Sequence, residues 1–430
     1  MPARWPAKFL RFPALILTLG STGCQGPGGS SRIPRTDLTT KTWFPPIVRQ
    51  QGNSCAQQAG LYYLLTAERN RQRFMNSWTP ANRLSPYQTY AILSDSMSGG
   101  THVTDGWHLA RETGVPLETD LPRGGRGLMH GFDKYVRALR QKPADWQLLP
   151  LRTEADLQAV KDWIAAGHPI ACDFQVQGAK LTKRPDGSTM IGGWSRTGPG
   201  HNMIYAGYDD TIGTDCNGDG QITNDRDITG DGRVTLADHE RGAFLVVNPW
   251  GPRWGTGGKA WALYREHAIN SWPRAGEVAM VRAARDAPPR LMLKLSIYLK
   301  DRRSLLLTVS DGSRAVEPLP FRRSALPFSS SSPISTWEVF GKVHRPSPQI
   351  SHGTLANPAG GPLEMGFDLS PLSGRAIEMK VASAGAPLQG TLHAASLVEL
   401  DSRGRIVGEM PFPALPAVLP ANGGTWTVSR

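Results

Sequence analysis

The sequence predicts an α+β domain over residues 41–285 and an all-β sandwich over 286–430. Within the first region helical spacing comes before strand-like segments, the order typical of an α+β arrangement. Beyond Pro288 short alternating segments are separated by Pro, Gly and Ser clusters, which favours a sandwich. A chain of 430 residues also exceeds what a single hydrophobic core usually organises. The strands predicted in the first region are 169–174, 202–208, 243–248 and 259–264, and the two clearest helices are 54–70 and the one that begins at Thr153.

The composition excludes several classes of protein. With 39% hydrophobic and 20% charged residues, the chain is not a disordered polymer. No apolar run reaches the roughly 18–20 residues that a membrane-spanning helix needs. The net charge of +12 is not concentrated in a basic block or a nucleic-acid-binding motif, so we expect no nucleic-acid partner.

Residues 1–23 are typical of an export signal, because basic residues precede a short apolar stretch and then small residues. The ending Ser21-Thr22-Gly23-Cys24 resembles a bacterial lipobox, although Ser21 stands where most lipoboxes carry Leu. The resemblance implies acylation of Cys24 and a tether over 24–40. We therefore expect an outer-membrane or periplasmic lipoprotein that meets the membrane only through this anchor. The alternative is a plain signal peptide with an incidental Cys24, which predicts a secreted protein.

Three separate stretches carry residues suited to nucleophilic catalysis. They are Gln50-Gln51-Gly52-Asn53-Ser54-Cys55, Gly200-His201-Asn202 and Asn248-Pro249-Trp250-Gly251. Together they resemble the papain-like cysteine peptidases, which place Gln, Cys, His and Asn in this chain order, and the resemblance covers about residues 41–266. It implies a two-lobed domain, with a helical lobe and a β-barrel-like lobe, that acts as an endopeptidase on polypeptide substrates.

The resemblance also implies a role for each residue. Cys55 would be the nucleophile that forms a thioacyl intermediate, in the first helical turn, where the helix dipole favours a thiolate. His201 would be the acid and base, and Asn248 would orient its ring. The family places the oxyanion Gln six residues before the Cys, whereas Gln50 and Gln51 lie five and four before it. The choice between them stays open, and Gln51 is favoured because Gly52 follows it.

Two further features are less specific. Gly99-Gly100 resembles the family segment that pairs with the substrate backbone, and the alternative is an ordinary turn. Cys172 and Cys216 are not expected to be catalytic, and the sequence does not decide whether they form a disulfide.

Other functions fit the same residues. The chain could be a catalytically silent surface binding protein on a papain-like fold, or a thiol acyltransferase that uses the same thioester. The C-terminal domain would then bind a cell-surface or glycan ligand. No catalytic cofactor is expected.

The insert 209–240 predicts a structural calcium site of EF-hand-like or dockerin type. It contains nine acidic and two basic residues, an excess that a cation would compensate. One loop begins at Asp227 and matches a calcium loop at its first, third, fifth, seventh, ninth and twelfth positions. A second begins at Asp215, but its twelfth position is Arg226, so Asp225 or Asp227 would have to close it. The alternative is a solvated acidic loop without metal. The predicted ligands are Asp215, Asn217, Asp219 and Gln221 in one loop, and Asp227, Thr229, Asp231, Arg233, Thr235 and Asp238 in the other.

Overall fold

The computed structural model describes residues 34–94, 99–124, 128–175, 179–192, 200–270, 277–317, 337–339, 342–344, 354–383 and 387–429. These residues form a mixed α+β structure with several sheets. The export signal and Cys24 lie outside the described residues, so acylation stays a prediction.

The predicted helix at 54–70 is present and extends further. It runs through α1 (Cys55–Gln57), a π-helical stretch (Gln58–Leu65) and α2 (Thr66–Gln72), and nearly all of its residues are buried. A helix buried all round lies inside a core. The other helices of this part are α3 (Tyr87–Leu93), α4 (Val103–Thr113), α5 (Phe132–Ala138), α6 (Glu154–Ala165) and α7 (Tyr264–Asn270).

Helix α6 confirms the predicted start at Thr153. The Thr153 hydroxyl accepts a hydrogen bond from the Asp156 backbone N–H at 3.2 Å, and the Asp156 carboxylate accepts one from the Thr153 N–H at 3.0 Å. This reciprocal capping box satisfies two helix-end donors. Gly167, at φ +93°, follows the helix end in a backbone conformation that glycine adopts readily.

A nine-stranded sheet adjoins these helices. Its order is β2-β9-β3-β6-β7-β8-β5-β4, and β1 pairs with β6. All of its pairs are antiparallel except β5 with β8. Sequence patterns predicted β3, β6, β7 and β8, but missed β1, β2, β4, β5 and β9. The strands are β1 (Arg35–Asp37), β2 (Pro143–Pro150), β3 (Ile170–Gln175), β4 (Lys180–Lys183), β5 (Thr189–Gly192), β6 (Gly200–Gly213), β7 (Arg241–Val247), β8 (Lys259–Leu263) and β9 (Glu277–Ala283).

The chain beyond residue 290 contains two larger antiparallel sheets, in the orders β15-β10-β17-β18 and β12-β11-β16-β20. Strand β19 pairs with β17, and β13 pairs with β14. The described strands are β10 (Leu291–Leu299), β11 (Leu305–Ser310), β12 (Ala315–Val316), β13 (Trp337–Val339), β14 (Lys342–His344), β15 (Leu363–Asp368), β16 (Ala376–Ser383), β17 (Gly390–Leu400), β18 (Ile406–Pro411), β19 (Ala417–Val418) and β20 (Gly423–Ser429).

These C-terminal sheets share one hydrophobic core with helices from the first half of the chain. Buried residues of α3, α4 and α5 belong to the same cluster as the buried faces of β10, β11, β15, β16 and β17. Backbone contacts reinforce the packing, because the Gly131 N–H donates to the Glu364 carbonyl at 3.2 Å and the Phe132 N–H donates to its carboxylate at 2.8 Å. The two halves therefore stabilise each other.

Within the described ranges, no helix combines the length and the apolar character that crossing a membrane requires.

We expect Gly366→Val to destabilise the protein through this shared core. A Cβ at Gly366 would lie 2.7 Å from Met292 Cε and 3.0 Å from both Phe132 Cδ2 and Tyr135 Cβ. Overpacking of this kind costs about 1–3 kcal/mol, which denaturant unfolding measures. Gly192→Val is the control, because no described atom lies within 4 Å of its Cβ position. Equal stability of the two variants would contradict tight packing between the C-terminal sheets and helix α5.

Candidate active site

Cys55 is the first residue of α1, and its helix packs against strand β6. The thiol is partly exposed, and the backbone N–H of Asn202, next to His201 on β6, lowers its pKa. Burial has the larger effect and raises the pKa of Cys55, and the nearby Asp173 carboxylate raises it further. This direction is opposite to the lowered pKa that the helix position predicted, because loss of hydration outweighs the hydrogen-bond donors around the sulfur.

His201 and Asn248 are brought together by the β6–β7 pairing. His201 Nε2 lies 2.9 Å from Asn248 Oδ1, and both residues are buried. The Trp250 backbone N–H also donates to Asn248 Oδ1 at 2.9 Å, so this atom is the acceptor oxygen of the amide. An amide oxygen only accepts, and therefore Nε2 carries the proton of a neutral imidazole. Nδ1 is then the basic nitrogen of His201.

Trp250 covers this hydrogen bond from one side. Its ring centroid lies 4.7 Å from that of His201, at an interplanar angle of 31°. The side chain is 42% exposed, so it separates the imidazole from solvent only in part. Its backbone also contributes, through the N–H that donates to the Asn248 amide oxygen.

Burial favours the neutral forms of both the Cys55 thiol and the His201 imidazole. Burial lowers the pKa of His201 to about 4, and the Asn248 hydrogen bond offsets this only partly. Among the described residues, no hydrogen bond joins Cys55 to His201. Proton transfer between them would therefore accompany the chemical step.

The loop before Cys55 is held beside the Asn248 turn. The Gln50 backbone N–H donates to the Pro249 carbonyl at 2.6 Å, and Arg49 pairs with Trp250 in an antiparallel bridge. The Gln50 side-chain amide donates to the Gly52 carbonyl at 2.9 Å and is thus engaged within the loop. The Gln51 amide makes no hydrogen bond to any described residue, which leaves its N–H groups available.

The Gly99 and Gly100 segment is tied to the Cys55 loop through Tyr90, which the sequence did not single out. The Asn53 backbone N–H donates to the Tyr90 hydroxyl at 3.2 Å, and that hydroxyl donates to the Gly99 carbonyl at 3.0 Å. Both glycines are exposed, and no described atom lies within 4 Å of a Cβ at Gly100. The segment therefore leaves room for an extended chain near Cys55.

A second tie comes from Gln57, two residues after Cys55. Its amide nitrogen donates to Thr101 Oγ1 at 3.0 Å and to the His102 carbonyl at 2.9 Å. Gly106 permits this close approach of α4, because a Cβ there would overlap the Gln57 side chain. The helix that carries Cys55 is thus fixed to the chain that follows Gly100.

Asp173 is a further charged residue at this site that sequence analysis missed. It lies on β3 directly opposite Asn202, and burial raises its pKa to about 7. The only sequence signal was an acidic residue inside an otherwise apolar strand, Ile170–Gln175.

The acidic insert forms two loops with the same internal geometry, twelve residues apart. The Asp227 carboxylate accepts from the N–H groups of Gly230 and Gly232, both at 2.7 Å. The Asp215 carboxylate accepts from Gly218 and Gly220 at 2.6 and 2.9 Å. All four glycines have φ between +76° and +81°, a conformation that favours glycine.

In each loop, a carboxylate near the end accepts hydrogen bonds from the backbone N–H groups of the second and ninth positions. Asp238 accepts from the N–H groups of Ile228 and Thr235, the second and ninth positions of its loop, at 3.1 and 2.8 Å. In the other loop the equivalent donors are Cys216 and Thr223, and they donate to Glu240 at 2.6 and 3.0 Å. Neither Asp225 nor Asp227 occupies this place. Glu240, immediately before β7, therefore has the same hydrogen-bonding position in the Asp215 loop that Asp238 has in the Asp227 loop.

Within the part of the chain that the structure describes, no three His, Cys, Asp or Glu side chains are assembled as a metal site. The calcium ligands thus stay a prediction. Cys172 and Cys216 are both free thiols, the first buried in β3 and the second exposed in the insert, so no disulfide joins them.

The chain is similar to known proteins in structure but not in sequence. No protein family and no curated protein matches the chain in sequence. Among solved structures, the recombinant stem bromelain precursor is similar with a TM-score of 0.39 and 14% identity, over 58% of this chain and 70% of that one. Xylellain, a cysteine protease from Xylella fastidiosa, is similar with a TM-score of 0.36 and 17% identity, over 59% and 87%. Both TM-scores are below 0.5, so the assignment of function rests on the site itself.

His267 provides a test of the core beneath the site. Its Nδ1 lies 2.8 Å from the hydroxyl of Tyr205 on β6, and burial lowers the pKa of His267 to about 3. The unfolded chain binds a proton near pH 6.5, whereas the native state resists it, so stability falls as the pH drops below 6.5. At pH 5 this histidine alone should cost about 2 kcal/mol relative to pH 7.5.

We expect His267→Gln to remove that part of the acid sensitivity, because glutamine can still bond to Tyr205 without titrating. Denaturant unfolding at pH 7.5 and pH 5 measures the difference. His393→Gln, at an exposed position of β17, is the control and should behave as the wild type. An unchanged acid sensitivity in His267→Gln would show that this histidine is not buried as a neutral ring.

Proposed function

We propose that this protein is a papain-like cysteine endopeptidase that hydrolyses peptide bonds through a thioacyl intermediate on Cys55. The observation that carries the proposal is the orientation of His201. Its Nε2 donates to Asn248, so its basic Nδ1 is left for the Cys55 thiol, and the Cys55 helix packs against the strand that carries it. A nucleophile, a base and a group that orients the base are the parts that thiol hydrolysis requires.

The reaction would follow from this geometry. His201 Nδ1 takes the Cys55 proton as Sγ attacks the substrate carbonyl carbon, and the Cys55 backbone N–H and the Gln51 amide would stabilise the oxyanion. The C–N bond then breaks, and the amine leaves with the proton held by His201. Water, deprotonated by His201, attacks the thioester; hydrolysis releases the acid and restores the thiol.

Asn248 acts as a positioning residue. It keeps the proton on Nε2 and orients the plane of the His201 ring. Because the Asn248 amide is neutral, it does not stabilise the charge of an imidazolium as a carboxylate would. This fits a site in which both the thiol and the imidazole are neutral at rest, since a permanent ion pair would be costly to bury.

The raised pKa of Cys55 is the observation that favours the alternative, a surface binding protein that uses the same fold without turnover. A thiol acyltransferase would share every step to the thioester and differ only in the amine that accepts the acyl group. Labelling of Cys55 by an epoxysuccinyl reagent separates an active thiol from an inert one.

We expect Cys55→Ala and His201→Ala each to lower kcat/KM for peptide hydrolysis by several orders of magnitude. Cys55 forms the covalent bond to the substrate, and His201 transfers the proton. Asn248→Ala should cost less, since it only orients His201. Peptide cleavage assays on the purified chain measure all three. Cys216→Ala, which removes an exposed free thiol, is the control and should keep full activity. Full activity of Cys55→Ala would refute the thiol mechanism.

We also propose that the acidic insert binds calcium as a structural ion. The supporting observation is the repeat of one loop geometry at Asp215 and Asp227, with Glu240 and Asp238 as the closing carboxylates. Calcium would draw the carboxylates of each loop together and offset the acidic excess. Because the insert connects β6 to β7, the ion would stabilise the pairing that brings His201 to Asn248.

Calcium should raise the melting temperature in a concentration-dependent way, since binding to the native state alone adds about 2.7 kcal/mol at a hundredfold excess over Kd. Asp231→Asn should weaken the second loop, and Glu240→Gln should weaken the first. Asp225→Asn is the matched control and should leave the calcium response unchanged. If calorimetry detects no calcium binding and the melting temperature is unchanged, the insert is a solvated acidic loop without metal.

Export, acylation of Cys24 and a cell-surface or glycan ligand for the C-terminal sheets remain proposals from the sequence. They would place the peptidase at the outer membrane or in the periplasm, with substrate polypeptides reaching it there.

A further inference from the structure

Asp173 lies on the open face of the two strands that border Cys55. It pairs with Asn202 across β3 and β6, and directly opposed residues of an antiparallel pair point to the same face. Asp173, Gln175, Gly200 and Asn202 are partly exposed, whereas their neighbours Cys172, Phe174, His201 and Met203 are buried. The alternation shows that one face of this strand pair packs on the core and that the other opens beside the nucleophile.

The Asp173 carboxylate has no counter-charge in the described protein. Its Oδ1 atom is buried and makes no hydrogen bond, and no described Lys, Arg or His forms an ion pair with it. Among the described residues, only the backbone N–H groups of His201 and Phe174 oppose the effect of burial on its charge. Burial of an unpaired carboxylate is unfavourable in free energy, so a cation that bound beside Asp173 would stabilise its charged form.

The same carboxylate acts on the reacting thiol. Asp173 raises the pKa of Cys55 through its charge, and the Asn202 N–H, opposite Asp173, lies at the sulfur. A polypeptide whose carbonyl carbon reaches Sγ would therefore bring a neighbouring side chain over Asp173. Asp173 is partly exposed as a residue although its Oδ1 atom is buried, and a carboxylate beside the nucleophile without a described counter-charge is suited to a cationic side chain.

We propose that Asp173 is a specificity determinant that binds a Lys or Arg side chain of the substrate next to the bond that is cleaved. The inference rests on the proposed peptidase function and names its substrate class. A substrate cation supplies the missing counter-charge, and it also removes the electrostatic penalty that Asp173 imposes on ionisation of Cys55. Correct substrates would thus help to activate the thiol that attacks them.

The first experiment measures cleavage preference. A library of denatured polypeptide fragments is digested by the full chain at pH 8, and the cleavage sites identify the substrate position near the cleaved bond that shows the strongest preference. The value of kcat/KM is then measured for peptide pairs that carry Lys or Gln at that position. The wild type should favour Lys, and Asp173→Asn should lower the Lys-to-Gln ratio of kcat/KM by at least about tenfold. Asp145→Asn, which removes an exposed carboxylate from β2, should keep the ratio. A wild type without preference for a basic residue, or a preference retained in Asp173→Asn, would overturn the proposal.

The second experiment does not depend on turnover. In a Cys24→Ser, Cys216→Ser background, Cys55 is modified by methanethiosulfonates that carry either an aminoethyl or a sulfonatoethyl group. Asp173→Asn should lower the cation-to-anion ratio of modification rates by about tenfold, and Asp145→Asn should not. A changed ratio in a chain that cleaves no peptide would refute the peptidase and retain the cation site. Peptide cleavage with an unchanged ratio and no basic preference would refute the role of Asp173 and retain the peptidase.

Discussion

The pairing of β6 with β7 is the constraint on which the site depends. At one end of this pair, Ile204 lies opposite Val247, and the residues just beyond bring the His201 ring to the Asn248 amide. At the other end, Gly213 lies opposite Arg241, where the acidic insert closes the connection. A one-residue shift in register would turn every side chain of the shifted strand to the opposite face of the sheet. The candidate active site and the candidate calcium loops are thus two ends of one hairpin.

Burial sets the chemistry of this site more strongly than hydrogen bonding does. It lowers the pKa of His201 and raises the pKa values of Cys55 and Asp173, so each group favours its neutral form. Ionisation of the thiol in such a site is therefore favoured only when a nearby opposite charge compensates the loss of hydration. That property links the resting thiol, the unpaired carboxylate and the proposed basic substrate in a single electrostatic argument.

The C-terminal sheets contribute to the site although they carry none of its reacting groups. Helix α3 packs into their core through Ala91 and Ile92, and the same helix carries Tyr90, whose hydroxyl joins the Cys55 loop to Gly99. Arg302 adds a buried hydrogen bond to the Ala91 carbonyl at 2.7 Å. The Tyr90 link between the Cys55 loop and Gly99 is therefore supported by the second half of the chain.

The sequence by itself determined the local features: the helix that begins at Cys55, the capping box at Thr153, the strands that carry His201 and Asn248, and the repeated glycines of the acidic insert. Each depends on neighbours within a few residues, through periodicity, capping or turn geometry. Tertiary structure decided the rest. Asp173 gained its place from strand register, Glu240 closed a loop that begins 25 residues earlier, and Tyr90 was joined to Gly99 by packing. The pKa shifts of Cys55 and His201 follow from burial, which arises only when distant segments exclude water together.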